Sequence, residues 1–266
     1  MPPATPSHAA ARVDWRAVAV FMAIACAWSW PLFWLRDMTE AGFGALPGPY
    51  PLKTMLLMWG PGIAALVCLR LFRATHPRTT TLSGGRWAWS AAFYFLPMAA
   101  LAAVGVHLPE MGGRVHAFVA VLAVIGLLNT LGEELGWRGF LQDALRPLPR
   151  PGRYVLIGLL WAGWHFTNLF AHREGAALWT YLAWYLPLTI ALSALIGEAT
   201  DRARAVLVAV TLHAWLNIAW EFQAPGTWAV LAGALPFWAW MLWCWPAAAA
   251  ARPVAAAPIA ERPPSA

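Results

Sequence analysis

The chain has 266 residues, of which 61% are hydrophobic, 11% are charged and 19 are tryptophan, and its formal net charge is +6. A soluble globular domain carries about 25% charged residues, and a chain this short has no single core able to bury so much apolar surface. The composition excludes a disordered chain and argues against a soluble enzyme. It assigns the basic excess to the cytoplasmic loops of a membrane protein rather than to nucleic-acid binding.

Residues 1–14 read as a disordered tail. Arg12 and Arg16 then precede an apolar run, and Ala23-Ile24-Ala25-Cys26 resembles a lipoprotein cleavage box. The run continues through Leu35, whereas a cleaved signal has a shorter core and then a polar region. Residues 17–35 are therefore expected to form a retained first helix. Further charge-free stretches lie at 54–69, 87–109, 115–132, 154–171, 176–197, 205–220 and 226–251. A membrane span needs about 20 such residues, and each stretch is read as one. Gly60-Pro61-Gly62 predicts a kink in the second. Residues 252–266 form an Ala/Pro-rich tail.

Basic residues orient the spans. With the N-terminus inside, 14 of the 18 Arg and Lys residues fall on the cytoplasmic side and four outside. Both termini are then cytoplasmic, in an inner membrane. Lys53 is the single lysine, and the Ala, Arg, Pro and Trp content fits a GC-rich bacterial genome. Cys26, Cys68 and Cys244 are widely separated within apolar runs, so they read as small buried hydrophobes, not as a disulfide framework or metal set. The expected fold is all-α: a polytopic membrane domain over 15–251 with about eight transmembrane helices.

Polar groups at membrane depth are costly and mark functional candidates. Gly132-Glu133-Glu134-Leu135-Gly136-Trp137-Arg138 comes directly after the fourth span. Glu134 and Arg138, four apart, share a helix face and can pair, while Glu133 is turned about 100° away. Alone, this reads equally as a salt bridge ending a helix. His165, in Trp161-Ala162-Gly163-Trp164-His165, sits inside the fifth span, as a site or as a hydrogen-bonded packing residue. His213 and Asn217 project from one face of the seventh span, lining a polar pocket or gluing helices together. A carboxylate, two imidazoles and an amide on three helices match water-activated hydrolysis, with a base, a second acid/base and oxyanion donors.

These motifs, EExxxR at Glu133-Glu134…Arg138, aromatic-xxxH at Trp161…His165 and HxxxN at His213…Asn217, resemble the CPBP family of intramembrane proteases. This is the type II CAAX prenyl protease, or Abi, group, which includes bacteriocin-immunity relatives. The resemblance covers residues 115–220. Its second motif usually begins with Phe; Trp161 stands there instead, read as an aromatic packing residue that does not touch the chemistry. The resemblance implies an eight-helix membrane endopeptidase with a polar catalytic cavity open toward the cytoplasmic side and a membrane-associated polypeptide as substrate. It implies that Glu133 activates water, that His165 positions the water or shuttles its proton, and that His213 and Asn217 stabilise the oxyanion. Glu134 and Arg138 would support the first motif. A zincin HExxH motif is absent, and the expectation is that no metal is required. The alternative is a zinc site from Glu133, His165 and His213. Other readings are a catalytically idle scaffold or self-immunity protein, and a transporter using the same groups as an ion relay. The transporter is disfavoured by the lack of an internal repeat.

Overall fold

Runs of Ala, Leu, Val and Trp punctuated by Gly and Pro fold as helices that begin and end near the punctuation. The structure, a computed structural model, describes residues 12–38, 50–72, 78–108, 111–165 and 175–246. Its helices are α1 (Trp15–Met38), α2 (Tyr50–Met58), α3 (Gly60–Leu71), α4 (Trp87–Val104), α5 (Phe118–Gly136), α6 (Gln142–Ala144), α7 (Arg150–Trp164), α8 (Gly175–Ala203), α9 (Val206–Glu221) and α10 (Pro225–Trp243). A π-helical turn, Trp137–Leu141, joins α5 to α6. Proline stands in the first turn of α3, α7 and α10, where its missing N–H is not needed.

Among the described residues, four stretches are long and apolar enough to cross a membrane: Trp15–Leu35, Trp87–Val104, Phe118–Ala144 and Leu182–Ala203. Gly60–Leu71 and Val206–Glu221 are shorter apolar helices. The expected tail over 252–266, and residues 1–11 of the N-terminal one, lie outside the described residues.

Several expected boundaries need correction. The helix expected over 87–109 stops at Val104, because Gly105 turns the chain with φ of 76°. Val106–Leu108 (β1) then pairs antiparallel with Gly113–Val115 (β2), with Val106 opposite Val115. The all-α expectation thus misses a short hairpin. The helix expected over 115–132 starts at Phe118 and continues to Ala144. Its carboxylates do not end it, because an arginine one turn on neutralises Glu134 within the helix. The span expected over 154–171 is helical only to Trp164, with His165 as its C-cap; residues 166–174 lie outside the described residues. The span expected over 176–197 runs on to Ala203, since Asp201 finds buried partners there.

α5 lies among α2, α3, α4 and α9. One apolar cluster beside it contains Phe93, Trp215 and Trp238; a second contains Phe21, Trp137 and Trp164. The break between α2 and α3 is compensated from α1. Pro61 has no N–H for the Leu57 carbonyl, and the Ser29 hydroxyl donates to that carbonyl at 2.9 Å. This broken segment presses on α5. A Cβ on Gly136 would lie 2.7 Å from the Pro61 carbonyl oxygen, and one on Gly132 would lie 2.7 Å from the Trp59 ring. The two glycines bracket Glu133 and Glu134, so this close approach sets where the carboxylates stand. Gly136→Ala must push backbone aside and is expected to cost about 1–3 kcal/mol. A lowered thermal midpoint in detergent would register it. Gly152→Ala is the control, since a Cβ there meets nothing within 4 Å.

The far end of the same helix is anchored by a second polar network. Asp143 accepts the backbone N–H groups of Thr79 and Thr80 at 2.8 and 2.9 Å. Gln142 donates to the Gly197 carbonyl at 2.9 Å and to Asp201 at 3.0 Å. Arg153 pairs with Asp201, and the Tyr154 hydroxyl bonds Asp201 and Glu198 at 2.7 and 2.9 Å. The end of α6 is thereby tied to α7, α8 and the segment after α3.

Candidate active site

The last turn of α5 carries two consecutive buried carboxylates. Glu134 faces Arg138 one turn on, whose Nη1 donates to both its oxygens at 2.8 Å, and neither side chain is exposed. The Arg138 guanidinium also lies 5.0 Å over the Trp161 ring, a cation–π contact. The same Glu134 oxygen, Oε1, meets Nδ1 of His213 at 2.7 Å. A carboxylate already paired with arginine acts only as an acceptor. The Nδ1 proton is therefore donated to Glu134, which leaves Nε2 of His213 on the side of Glu133.

Glu133 points elsewhere, as its place on the helix requires. Its Oε2 accepts a hydrogen bond from the Trp161 indole N–H at 2.9 Å. Its Oε1 lies 3.9 Å from Nε2 of His213, too far for a direct hydrogen bond. A water making bonds of about 2.8 Å to both atoms spans such a gap. Glu133 is 3% exposed and His213 5% exposed.

His165 joins this group through Trp161. Its Nδ1 lies 3.1 Å from the Trp161 carbonyl oxygen, and its ring packs edge-on to Trp164 at 4.6 Å. The Trp161 ring stands edge-on to His213 at 5.2 Å and 6.0 Å from the His165 ring. Asn217 sits one turn beyond His213 but is exposed, so the two do not share one buried pocket. The structure thus brings Glu133, Glu134, Arg138 and His213 into one cluster, links His165 to it through Trp161, and leaves Asn217 at the surface of α9.

Trp161 is the residue that sequence reasoning undervalues. It does not merely fill space; it touches both histidines, the arginine and the unpaired carboxylate. The signal was its side chain itself, since a buried indole N–H needs an acceptor. Among the described residues, no three His, Cys, Asp or Glu side chains converge as metal ligands would. The bond from Nδ1 of His213 to Glu134 leaves its Nε2 on the side of Glu133.

Comparison with known proteins agrees with the motifs. Residues 115–219 match the family model described as type II CAAX prenyl endopeptidase Rce1-like. A stretch of 119 residues is 27% identical to CAAX prenyl protease 2 of Methanococcus maripaludis. That match covers 40% of this chain and 42% of the relative, so the likeness spans well under half the length of either protein. All three motifs fall within residues 115–219, the stretch that also builds the buried cluster, and over that stretch the chain is similar to the type II CAAX prenyl endopeptidases.

Proposed function

We propose that the protein is an intramembrane endopeptidase that hydrolyses a peptide bond of a membrane-associated polypeptide, CAAX-like or other, with Glu133 as the general base. The observation that carries this reading is the pair formed by Glu133 Oε1 and His213 Nε2. They stand 3.9 Å apart in a buried site, and each is oriented by a hydrogen bond on its other side. A water between them gives up a proton to Glu133, and its oxygen bonds the scissile carbonyl carbon. The C–N bond then breaks, and the leaving amine takes the proton back from Glu133. His213, protonated on Nε2, serves the oxyanion, joined by Asn217 from the exposed turn beyond it; His165 assists proton movement. Glu134 and Arg138 hold His213 and the helix in place. No metal is required in this reading.

The same proposal places eight helices across the bacterial inner membrane, both termini in the cytoplasm and the catalytic cavity open on that side. The division of Arg and Lys, 14 against four, supports that orientation.

The test uses the purified full-length protein in detergent with an internally quenched, farnesylated CAAX-type peptide in oxygen-18 water. Cleavage is expected, with one labelled oxygen in each new C-terminal carboxyl. Activity is expected to survive dialysis against a chelator. Loss of activity on chelation, restored by zinc, would overturn the metal-free reading. Absence of cleavage here, together with a Glu133→Ala strain that accumulates no uncut membrane peptide, would favour the idle scaffold or immunity protein.

A further inference from the structure

We infer that Trp161 is a positioning residue of this reaction: its indole N–H pins one oxygen of Glu133 so that the other faces His213. The inference rests on the peptidase reading for its meaning but on geometry for its existence. A glutamate reaches its carboxylate through three rotatable bonds, and the last is broad and loosely two-fold. Burial alone does not fix the tilt of the carboxylate plane toward His213. The bond from Trp161 Nε1 to Oε2, 2.9 Å long, fixes it. It leaves Oε1 on the side of His213 Nε2.

The donor is itself held firmly. Trp161 is 4% exposed. The Arg138 guanidinium covers its ring at 5.0 Å, and the His213 ring abuts it at 5.2 Å. Its carbonyl also meets the backbone N–H and Nδ1 of His165, at 3.2 and 3.1 Å. One residue therefore contacts every buried member of the cluster except Glu134. Phenylalanine fills much of the same space and makes the same ring contacts, yet it has no N–H to give. The hydrogen bond to Glu133 is thus a property of the residue this chain carries at that position, separable from packing.

The experiment compares wild type with Trp161→Phe, and with β-(3-benzothienyl)alanine introduced at position 161, in the full-length protein. The benzothienyl ring keeps the indole shape and lacks the N–H. With the farnesylated peptide, both variants are expected to lose about tenfold or more in kcat, the equivalent of one hydrogen bond to a charged group. KM is expected to stay within about twofold, because the bond orients the base rather than the substrate. A benzothienyl variant with wild-type kcat, or losses confined to KM, would overturn the positioning role. Should the wild type itself not cleave the peptide, thermal midpoints still decide the bond. Trp161→Phe is then expected to lower the midpoint in wild type more than in a Glu133→Ala background. Equal losses in both backgrounds would refute the bond.

Discussion

Replacing Glu133 with Gln is expected to reduce peptide turnover on the order of a thousandfold while leaving the thermal midpoint in detergent unchanged. The amide keeps a carbonyl oxygen to accept the Trp161 indole N–H, which reaches the native carboxylate at 2.9 Å, so the local hydrogen bonding survives. What is lost is the ability to take a proton from water, and a positioned general base contributes about 10²–10⁴-fold in rate. Glu134→Gln is the informative contrast, since that substitution removes the charge facing Arg138 and should lower stability as well as activity. A Glu133→Gln enzyme that retains kcat within about threefold would sink the assignment of Glu133 as the base.

Arg138→Met is expected to be the most destabilising single change in the cluster, at about 3–5 kcal/mol, the range for breaking a buried ion pair on one side. Neither Arg138 nor Glu134 has any exposed side-chain surface. Removing the guanidinium strands a buried carboxylate that, among the described residues, keeps only His213 as a hydrogen-bond partner. The arginine is itself imperfectly served, for among the described residues its Nε and Nη2 have no hydrogen-bond partner. The pair is therefore no optimum of stability, and the double change Arg138→Met with Glu134→Leu is expected to recover most of the loss. Activity is not expected to return, because His213 would have lost the carboxylate that fixes its Nδ1. Thermal unfolding of wild type, both single variants and the double variant, with peptide cleavage measured in parallel, checks both parts. A double variant as unstable as Arg138→Met would show that the pair stabilises the fold beyond neutralising Glu134.

The cluster was legible where chemistry depends on spacing along one helix. Glu134 and Arg138, four apart, pair as that spacing predicts, and Glu133, one residue earlier, turns to another neighbour. Reading spans as charge-free runs failed where charges are neutralised inside the protein. Glu133 looked like the end of a span because the count cannot see that Arg138 lets the helix continue to Ala144. Asp201 was lost for the same reason: its partners Arg153, Tyr154 and Gln142 come from other helices. The hairpin at Val106–Leu108 depends on the turn taken at Gly105, and an apolar run alone does not distinguish a short strand from more helix. Asn217 and His213 do share a helix, yet only the packing of neighbours decides that one is buried and the other exposed.

The π-helical turn at Trp137–Leu141 is closed by the Gln142 N–H on the Trp137 carbonyl, a ring one residue wider than that of an α-helix. The extra residue sets a phase offset of about 100° between the helix on its N-terminal side and the helix on its C-terminal side. Upstream, the phase aims Glu133 and Glu134 at Trp161 and His213. Downstream, it aims Gln142 and Asp143 at Asp201 and the Thr79-Thr80 segment. The information that couples the two ends is carried by segment length as well as by residue type. A one-residue deletion within 137–141 closes the wide ring to an ordinary α turn and keeps both ends on their partners, whereas a further one-residue insertion must widen the helix again or swing the downstream anchor by about 100°.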